Sequence, residues 1–216
     1  QPYPKFGGAD RSIIKLINGL KFNDITLISL SKCKYSRYLN KKIHYKVLNS
    51  NRTIFSIFEL NRFIKKEVAK NKLKKNIIIS NQNFANVATI ISLNKLRRIK
   101  KILIERNHLD ELKYYNNIKD YIKKKIILFL IRIYYSKSDA VVGISKKLSI
   151  DLKNYINSKV ITIYNPSLEE NIIRNNKVKK IDIKNSKKII LNVGFFEKQK
   201  DQMTILKSIN LLKNYY

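Results

Sequence analysis

Two kinds of hydrophobic pattern alternate along this chain. Short runs of β-branched and other apolar residues predict buried strands, and longer stretches with an apolar residue every three or four positions predict helices. The predicted strands are residues 25–30, 44–48, 76–80, 101–105, 141–144 and 160–163, and the predicted helices are residues 10–20, 52–73, 84–96 and 117–135. Because parallel strands need crossover helices between them, this order predicts an α/β fold with a doubly wound parallel sheet.

The spacing of apolar residues also predicts which helix faces pack on the sheet. In the helix over residues 52–73 the predicted inward side chains are Ile54, Phe55, Phe58, Phe63, Ile64 and Val68. In the helix over residues 117–135 they are Ile118, Tyr121, Ile122, Ile126, Phe129, Leu130 and Ile133. Both helices are therefore expected to bury an apolar stripe.

The composition changes after Pro166, which predicts a domain boundary. Residues 1–166 form the first predicted domain, residues 167–187 are polar and form a linker, and residues 188–216 begin a second α/β domain with a helix over residues 202–212. One strand and one helix cannot bury a core, so the second domain is expected to be incomplete. Residues 1–6 lack a strand pattern, and the first domain is expected to lack its opening strand.

Turn-forming residues end the apolar runs at places where open α/β sheets bind ligands. The relevant segments are residues 139–145 (Asp-Ala-Val-Val-Gly-Ile-Ser), residues 163–166 (Ile-Tyr-Asn-Pro), residues 191–194 (Leu-Asn-Val-Gly) and residues 199–201 (Gln-Lys-Asp). Together with Gly7-Gly8-Ala9-Asp10-Arg11, their order and spacing resemble the retaining glycosyltransferases of family 4 (group 1), which have two Rossmann-like domains in the GT-B arrangement.

The resemblance implies transfer of a sugar from a nucleotide-sugar to a lipid-linked or saccharide acceptor, with retention, in cell-surface glycan biosynthesis. Such an enzyme must stabilise a leaving diphosphate, either with a metal or with basic side chains and helix amino ends. The chain has no Asp-x-Asp motif to hold a metal. We therefore expect no metal and no cofactor, the nucleotide-sugar being a co-substrate. Residues 1–216 alone are expected not to transfer sugar, because both domains must close on the donor.

Basic and glycine residues at the start of the second domain carry the implied donor site. Gly194 and Lys200 match family positions directed at the diphosphate, whereas Phe195 stands where the family usually has arginine. Lys198 is an alternative contact. Without the motif, Lys200 would be interpreted as an exposed lysine before a helix.

Two helix starts in the first domain are candidate anion sites. Gly7 and Gly8 precede a helix and would allow a ligand to approach its backbone amides, although a bare glycine pair is more often a simple loop. The resemblance implies that they bind the diphosphate. Ser145 follows a strand and is interpreted first as a helix N-cap.

Polar residues after two strands form the remaining candidate site. Arg106 could pair with phosphate and His108 could exchange protons, so these two are the candidate catalytic residues. Glu105, Asn107 and Asn81 are the candidate acceptor contacts. A lone histidine and a polar turn are also common structural features.

The net charge of +31 suggests two further partners. Spread-out lysines are usually a solvated surface, but they could also attract an anionic membrane. A basic nucleic-acid-binding protein is the alternative function, although most aromatic residues lie at core-periodic helix positions. A dinucleotide-dependent oxidoreductase is disfavoured because no Gly-x-Gly-x-x-Gly motif follows a strand. The single cysteine, Cys33, fits a reducing compartment. We expect a cytoplasmic protein that is peripheral to the inner face of the plasma membrane, which it would contact through its scattered lysines and the helix over residues 117–135.

Overall fold

The computed structural model describes residues 7–21, 24–32, 37–48, 50, 52–70, 75–96, 98–115, 117–166, 190–194, 196 and 201–212. The chain forms two compact units, residues 1–168 and residues 169–216. Most of the predicted linker, and the start of the predicted second domain at Lys188, lie outside the described residues.

The first unit contains six strands and five α-helices among its described residues. The strands are β1 (Ile25–Ser29), β2 (Ile43–Val47), β3 (Asn76–Asn81), β4 (Ile99–Glu105), β5 (Ala140–Gly143) and β6 (Val160–Thr162). The helices are α1 (Gly8–Gly19), α2 (Ser56–Lys70), α3 (Asn83–Leu93), α4 (Ile118–Tyr134) and α5 (Lys146–Tyr155). Short 3-10 helices span Leu109–Leu112 and Tyr135–Lys137.

All strand pairs are parallel, which confirms the predicted α/β class. The described strands form two sheets, one of β1 and β2 and one in the order β3-β4-β5-β6. The hydrophobic pattern predicts a single sheet, but among the described strands neither β1 nor β2 pairs with a strand of the four-stranded sheet. The two sheets are therefore joined by side-chain packing and not by a shared hydrogen-bond ladder.

That packing forms a core between the two sheets. Leu30 and Leu48 follow β1 and β2, and they share one buried cluster with Leu60 on α2 and Leu93 on α3. A larger cluster lies between the four-stranded sheet and α3, α4 and α5. Its side chains with no exposed surface are Leu103, Ile131, Tyr135, Val141 and Leu152. Helix α3 belongs to both clusters, so it connects the sheets.

The predicted inward face of α4 is wrong. Six of its seven predicted inward residues are exposed, between 37% and 73%, and only Leu130 is half-buried. The buried residues are instead Ile127 and Ile131. Apolar side chains cover more than half of the circumference of this helix, so their period alone does not select the packed face.

The predicted inward residues of α2 are also partly wrong. Ile54 and Phe55 belong to a turn before the helix, and Phe58 is the most exposed of the three. Ile64 is buried as predicted, together with Leu60. The helix begins at Ser56, four residues later than predicted, which removes the first two residues from the helical period.

In the second unit, α6 (Gln202–Leu212) has the predicted bounds. Asp201 caps it, because its Oδ1 accepts a hydrogen bond of 3.4 Å from the Thr204 backbone amide, and its Oδ2 accepts one of 2.7 Å from Thr204 Oγ1. Ile205, Ile209 and Leu212 recur at helical spacing, but none of them is buried, since no residue of this helix is.

Helix α5 approaches β5 so closely that Gly143 cannot carry a side chain. A Cβ atom there would overlap Ser149 Oγ and lie 3.0 Å from Ser149 N and 3.1 Å from Ser149 Cα. Ser149 Oγ also bonds to Thr162 Oγ1 on β6, at 2.9 Å. The glycine therefore sets the distance between this helix and the sheet.

We expect Gly143→Ala to lower the free energy of unfolding by about 1–3 kcal/mol, because the added methyl group overpacks a filled contact. Gly19→Ala is the control, since a Cβ at Gly19 has no atom within 4 Å. Urea unfolding of both variants measures the difference. Equal stability of Gly143→Ala and wild type would show that α5 moves freely away from β5.

Candidate functional site

Arg106 follows β4 directly and joins three other parts of the fold. Its Nε donates to Asn81 Oδ1 at 2.5 Å, and its Nη1 donates to Ser12 Oγ at 3.0 Å and to Asn165 Oδ1 at 2.6 Å. These partners lie at the end of β3, on α1 and after β6. The carboxyl ends of parallel strands meet at one edge of the sheet, and Arg106 lies at this edge, where open α/β sheets usually bind their ligands.

The charge of Arg106 is only weakly balanced by its neighbours. All three hydrogen-bond partners are neutral oxygens, and burial lowers the pKa of the guanidinium while the nearby charge of Asp10 opposes this change. Nη2 has no partner among the described residues. A desolvated cation with free donors favours an anion, and a planar guanidinium suits phosphate or carboxylate.

The start of α1 adds backbone donors close to this cation. Gly7 and Gly8 have open space where a Cβ would be, so a ligand could reach the backbone there. The Gly7 amide already donates to Asp10 Oδ2 at 3.2 Å. Asp10 thus stabilises the helix start, and the diphosphate contact of Gly7 and Gly8 stays a prediction.

Glu105, a predicted acceptor contact, is fully buried. Its Oε2 accepts a 2.6 Å hydrogen bond from the Tyr135 hydroxyl, and its Oε1 accepts one of 3.2 Å from the Arg106 amide. Asn86 on α3 donates to the Tyr135 hydroxyl and to the Ile104 carbonyl, both at 3.0 Å. Glu105 therefore fixes the end of β4 and, through the hydrogen bond to the Arg106 amide, the backbone of Arg106. Its contact with an acceptor stays a prediction.

His108 lies between two carboxylates. It precedes the 3-10 helix Leu109–Leu112, and its Nδ1 is 2.9 Å from Asp110 Oδ2 while its Nε2 contacts Asp151 Oδ2 on α5. The Nε2 contact thus links this turn to α5, whereas the Nδ1 contact stays within the turn. The catalytic role of His108 stays a prediction.

The two candidate asparagines differ in position. Asn81 is buried and aims its side-chain oxygen at Arg106, so the structure brings these two predicted site residues together. Asn107 is exposed and donates to Glu111 Oε2 at 2.8 Å. Ser145 is an N-cap as predicted, because its Oγ accepts from Leu148 N at 3.3 Å.

The predicted donor residues belong to the second unit. Gly194 is exposed, and Phe195, Lys198 and Lys200 lie outside the described residues. Their contact with a diphosphate stays a prediction.

Ser12 was not predicted from the sequence as part of this site, and its only signal is its position near a helix start. Asn165, in the Ile-Tyr-Asn-Pro segment, and Gln82, next to Asn81, both follow predicted strands, which is the signal that places them at the sheet edge. Gln82 has φ 74° and ψ 146°, a conformation that costs a non-glycine residue about 1–3 kcal/mol. Its amide donates to the Ile104 carbonyl at 3.1 Å and its carbonyl accepts from Asn86 N at 2.8 Å, which hold it there.

A cavity of about 1130 Å³ opens beside Gln82. Gly7, Gly8 and Asp10 line one part of it, and helices α3 and α4 with the segment around the start of α2 line the rest. In the part of the chain that the structure describes, no His, Cys, Asp and Glu side chains group as metal ligands, and no helix has the length and apolar content to cross a membrane.

No protein-family model matches this chain, and no curated protein matches it significantly. The glycosyltransferase family therefore stays a prediction from the motifs.

The buried carboxyl of Glu105 makes stability depend on pH. Burial raises its pKa from 4.5 to about 7, so the folded chain binds a proton that the unfolded chain releases between these values. Its contribution is present at low pH and is lost as pH rises towards about 7, by about 3 kcal/mol in total. Glu105→Gln, which stays neutral, should remove this loss.

Urea unfolding at about pH 5 and about pH 7.5 measures the effect. Wild type should lose more stability than Glu105→Gln between the two conditions. Glu59→Gln, which neutralises an exposed carboxylate on α2, is the control and should follow wild type. The same pH dependence in all three proteins would contradict the assignment of this proton to Glu105.

Proposed function

We propose that this chain is the acceptor-side part of a retaining glycosyltransferase of the GT-B type, with a doubly wound Rossmann-like domain. It would transfer a sugar from a nucleotide-sugar to a lipid-linked or saccharide acceptor in cell-surface glycan biosynthesis. The observation that carries the proposal is the guanidinium of Arg106, which is held at the strand ends by neutral oxygens only.

The chemistry of the leaving group fits this cation. Negative charge grows on the diphosphate as the bond to the sugar breaks, so a cation fixed beside it stabilises the transition state more than the ground state. Asn81, Ser12 and Asn165 fix the plane of the Arg106 guanidinium before a substrate arrives, and this lowers the cost of reorganisation. Nη2 is the atom that would meet the anion.

The remaining site residues take supporting roles in this proposal. Gly194 and Lys200 are the diphosphate contacts that the resemblance implies. His108 would act near the reacting sugar, and Asn107, which is exposed, would contact the acceptor. The basic side chains replace a metal in this mechanism.

Arg106→Gln should weaken binding of inorganic pyrophosphate to this chain by at least about tenfold, because a charge-assisted hydrogen bond contributes about 1.5–3 kcal/mol. In the complete protein, the same change should lower kcat/KM for the nucleotide-sugar by about one to two decades. Calorimetric titration at about 0.15 M salt and a transfer assay with labelled donors measure the two effects.

Arg132→Gln is the matched control, because Arg132 is exposed on α4 and its substitution removes the same charge. It should change both quantities less than twofold. Equal losses in the two variants would mean that pyrophosphate responds to the net charge alone, and the proposed site would be rejected. Retention of full transfer activity in Arg106→Gln would reject the proposed role of Arg106.

We also propose that the protein works at the inner face of the plasma membrane. Helix α4 exposes an apolar stripe, namely Ile118, Ile122, Ile126, Phe129 and Ile133, on a helix that carries five basic residues. An apolar stripe flanked by lysines is the pattern of interfacial helices. The acceptor of such an enzyme would then be carried by the same membrane.

Phe129→Asn should weaken binding to vesicles that contain anionic lipid by about tenfold or more, because a phenylalanine side chain contributes about 1.5–3 kcal/mol on burial. Ile150→Asn removes an equally exposed apolar residue on α5 and should leave binding unchanged. Vesicle flotation at low and high salt measures the affinity. Identical flotation of Phe129→Asn and wild type would reject α4 as the membrane contact.

A further inference from the structure

The cavity beside Gln82 has an uneven polarity along α4. Lys119 and Lys123 line it in the first two turns of the helix, whereas Ile126, Ile127 and Leu130 line it further along. The facing wall from α3 is apolar. The cavity is therefore cationic at one end of α4 and hydrocarbon-like along the rest.

The cations at this end are available to a ligand. Neither Lys119 nor Lys123 has a carboxylate partner among the described residues, and Lys123 Nζ lies 4.9 Å from the centre of the Phe84 ring. Arg52, which precedes α2, also lines the cavity and likewise has no carboxylate partner there. The one acidic residue of the lining, Asp10, accepts a hydrogen bond from the Gly7 amide.

From these observations we infer that the cavity binds a lipid phosphate, with the hydrocarbon chain against Ile126, Ile127 and Leu130 and the phosphate at Lys119 and Lys123. An anionic head and an apolar tail match the two ends of the cavity. The volume exceeds the range of about 300–1,000 Å³ that is usual for small-molecule pockets, so a long chain has room. The exposed halves of Ile122 and Ile126 would become buried by it.

A lipid chain fits these residues better than the other apolar occupants. A basic amphipathic helix would be repelled by the lysines, and a neutral chain would leave them without a partner. Binding of the lipid phosphate stands on the cavity alone. Its role as the acceptor rests on the proposed function. Gly7 and Gly8, which line the cavity, lie at the start of the helix that also carries Ser12, a partner of Arg106.

Calorimetric titration with monomeric alkyl phosphates, below their micelle concentration, tests the inference without any sugar donor. Dodecyl phosphate should bind about 15-fold more tightly than decyl phosphate, since each buried methylene contributes about fourfold. Inorganic phosphate alone should bind far more weakly than either. Dodecyl maltoside, which has a neutral head, should bind at least tenfold more weakly than dodecyl phosphate.

Two matched pairs of variants on α4 locate the site. Ile126→Asn should weaken dodecyl phosphate binding about tenfold, and Phe129→Asn, which is equally exposed but outside the lining, should change it less than twofold. Lys123→Gln should weaken binding about tenfold, and Lys125→Gln less than twofold. Lys125 is a fair control because its Nζ also lies over a ring, 5.5 Å from the centre of Tyr121.

Each contrary result has a distinct meaning. Equal losses in Ile126→Asn and Phe129→Asn would mean adsorption to the α4 surface and would overturn the inference. Equal affinity for decyl and dodecyl phosphate, or no binding of either, would do the same. Because no nucleotide-sugar is present, these results are independent of whether Arg106 acts in sugar transfer.

Discussion

The hydrogen bond from the Tyr135 hydroxyl to the Glu105 carboxyl group fixes the part of the fold on which the site depends. Glu105 ends β4, Tyr135 follows α4, and Asn86 on α3 donates to the Tyr135 hydroxyl. The Tyr135 hydroxyl group therefore connects α3 and α4 to β4. Arg106 follows Glu105 directly, so the position of Arg106 depends on this hydrogen bond. The hydrogen bonds to both oxygens of Glu105 offset part of its desolvation, and the remainder is seen in its raised pKa.

Buried and strained groups gather at this one edge of the sheet. Arg106 is a desolvated cation, Glu105 is a desolvated acid, and Gln82 has a backbone conformation suited to glycine. Each feature lowers stability when considered by itself. Proteins keep such departures from local preference mainly where function requires them. These three residues therefore support the proposal that the functional site lies at the strand ends.

The sequence predicts the elements better than it predicts their packing. In the first unit the order of strands and helices is confirmed, as are the Ser145 cap and the bounds of α6, because these depend on local spacing and on residues that begin or end elements. The strand predicted at the start of the second domain is not found in residues 190–194. The buried face of α4 is not predicted, because apolar residues lie on both sides of the helix and only the tertiary contact with α3 selects Ile127 and Ile131.

In the candidate site, too, the sequence predicts local positions but not the contacts between distant residues. Asn81 and Arg106 could be predicted to lie together, since both follow adjacent parallel strands. Ser12 and Asn165 are far from Arg106 in sequence, and nothing local identifies them as its partners. The burial of Glu105 could not be predicted from the neighbouring sequence either, because the position of Tyr135 depends on how α4 packs.

The edge of the four-stranded sheet affects how copies of this protein interact in solution. β3 is an edge strand among the described strands, and its Ile77 and Ile79 side chains are exposed. A strand edge of this kind is a template for pairing with another chain. The net charge of +31 keeps copies apart at low ionic strength, whereas salt shortens the range of that repulsion to about 8 Å at physiological concentration. The same lysines that would draw the protein to an anionic surface therefore also keep it dispersed in water.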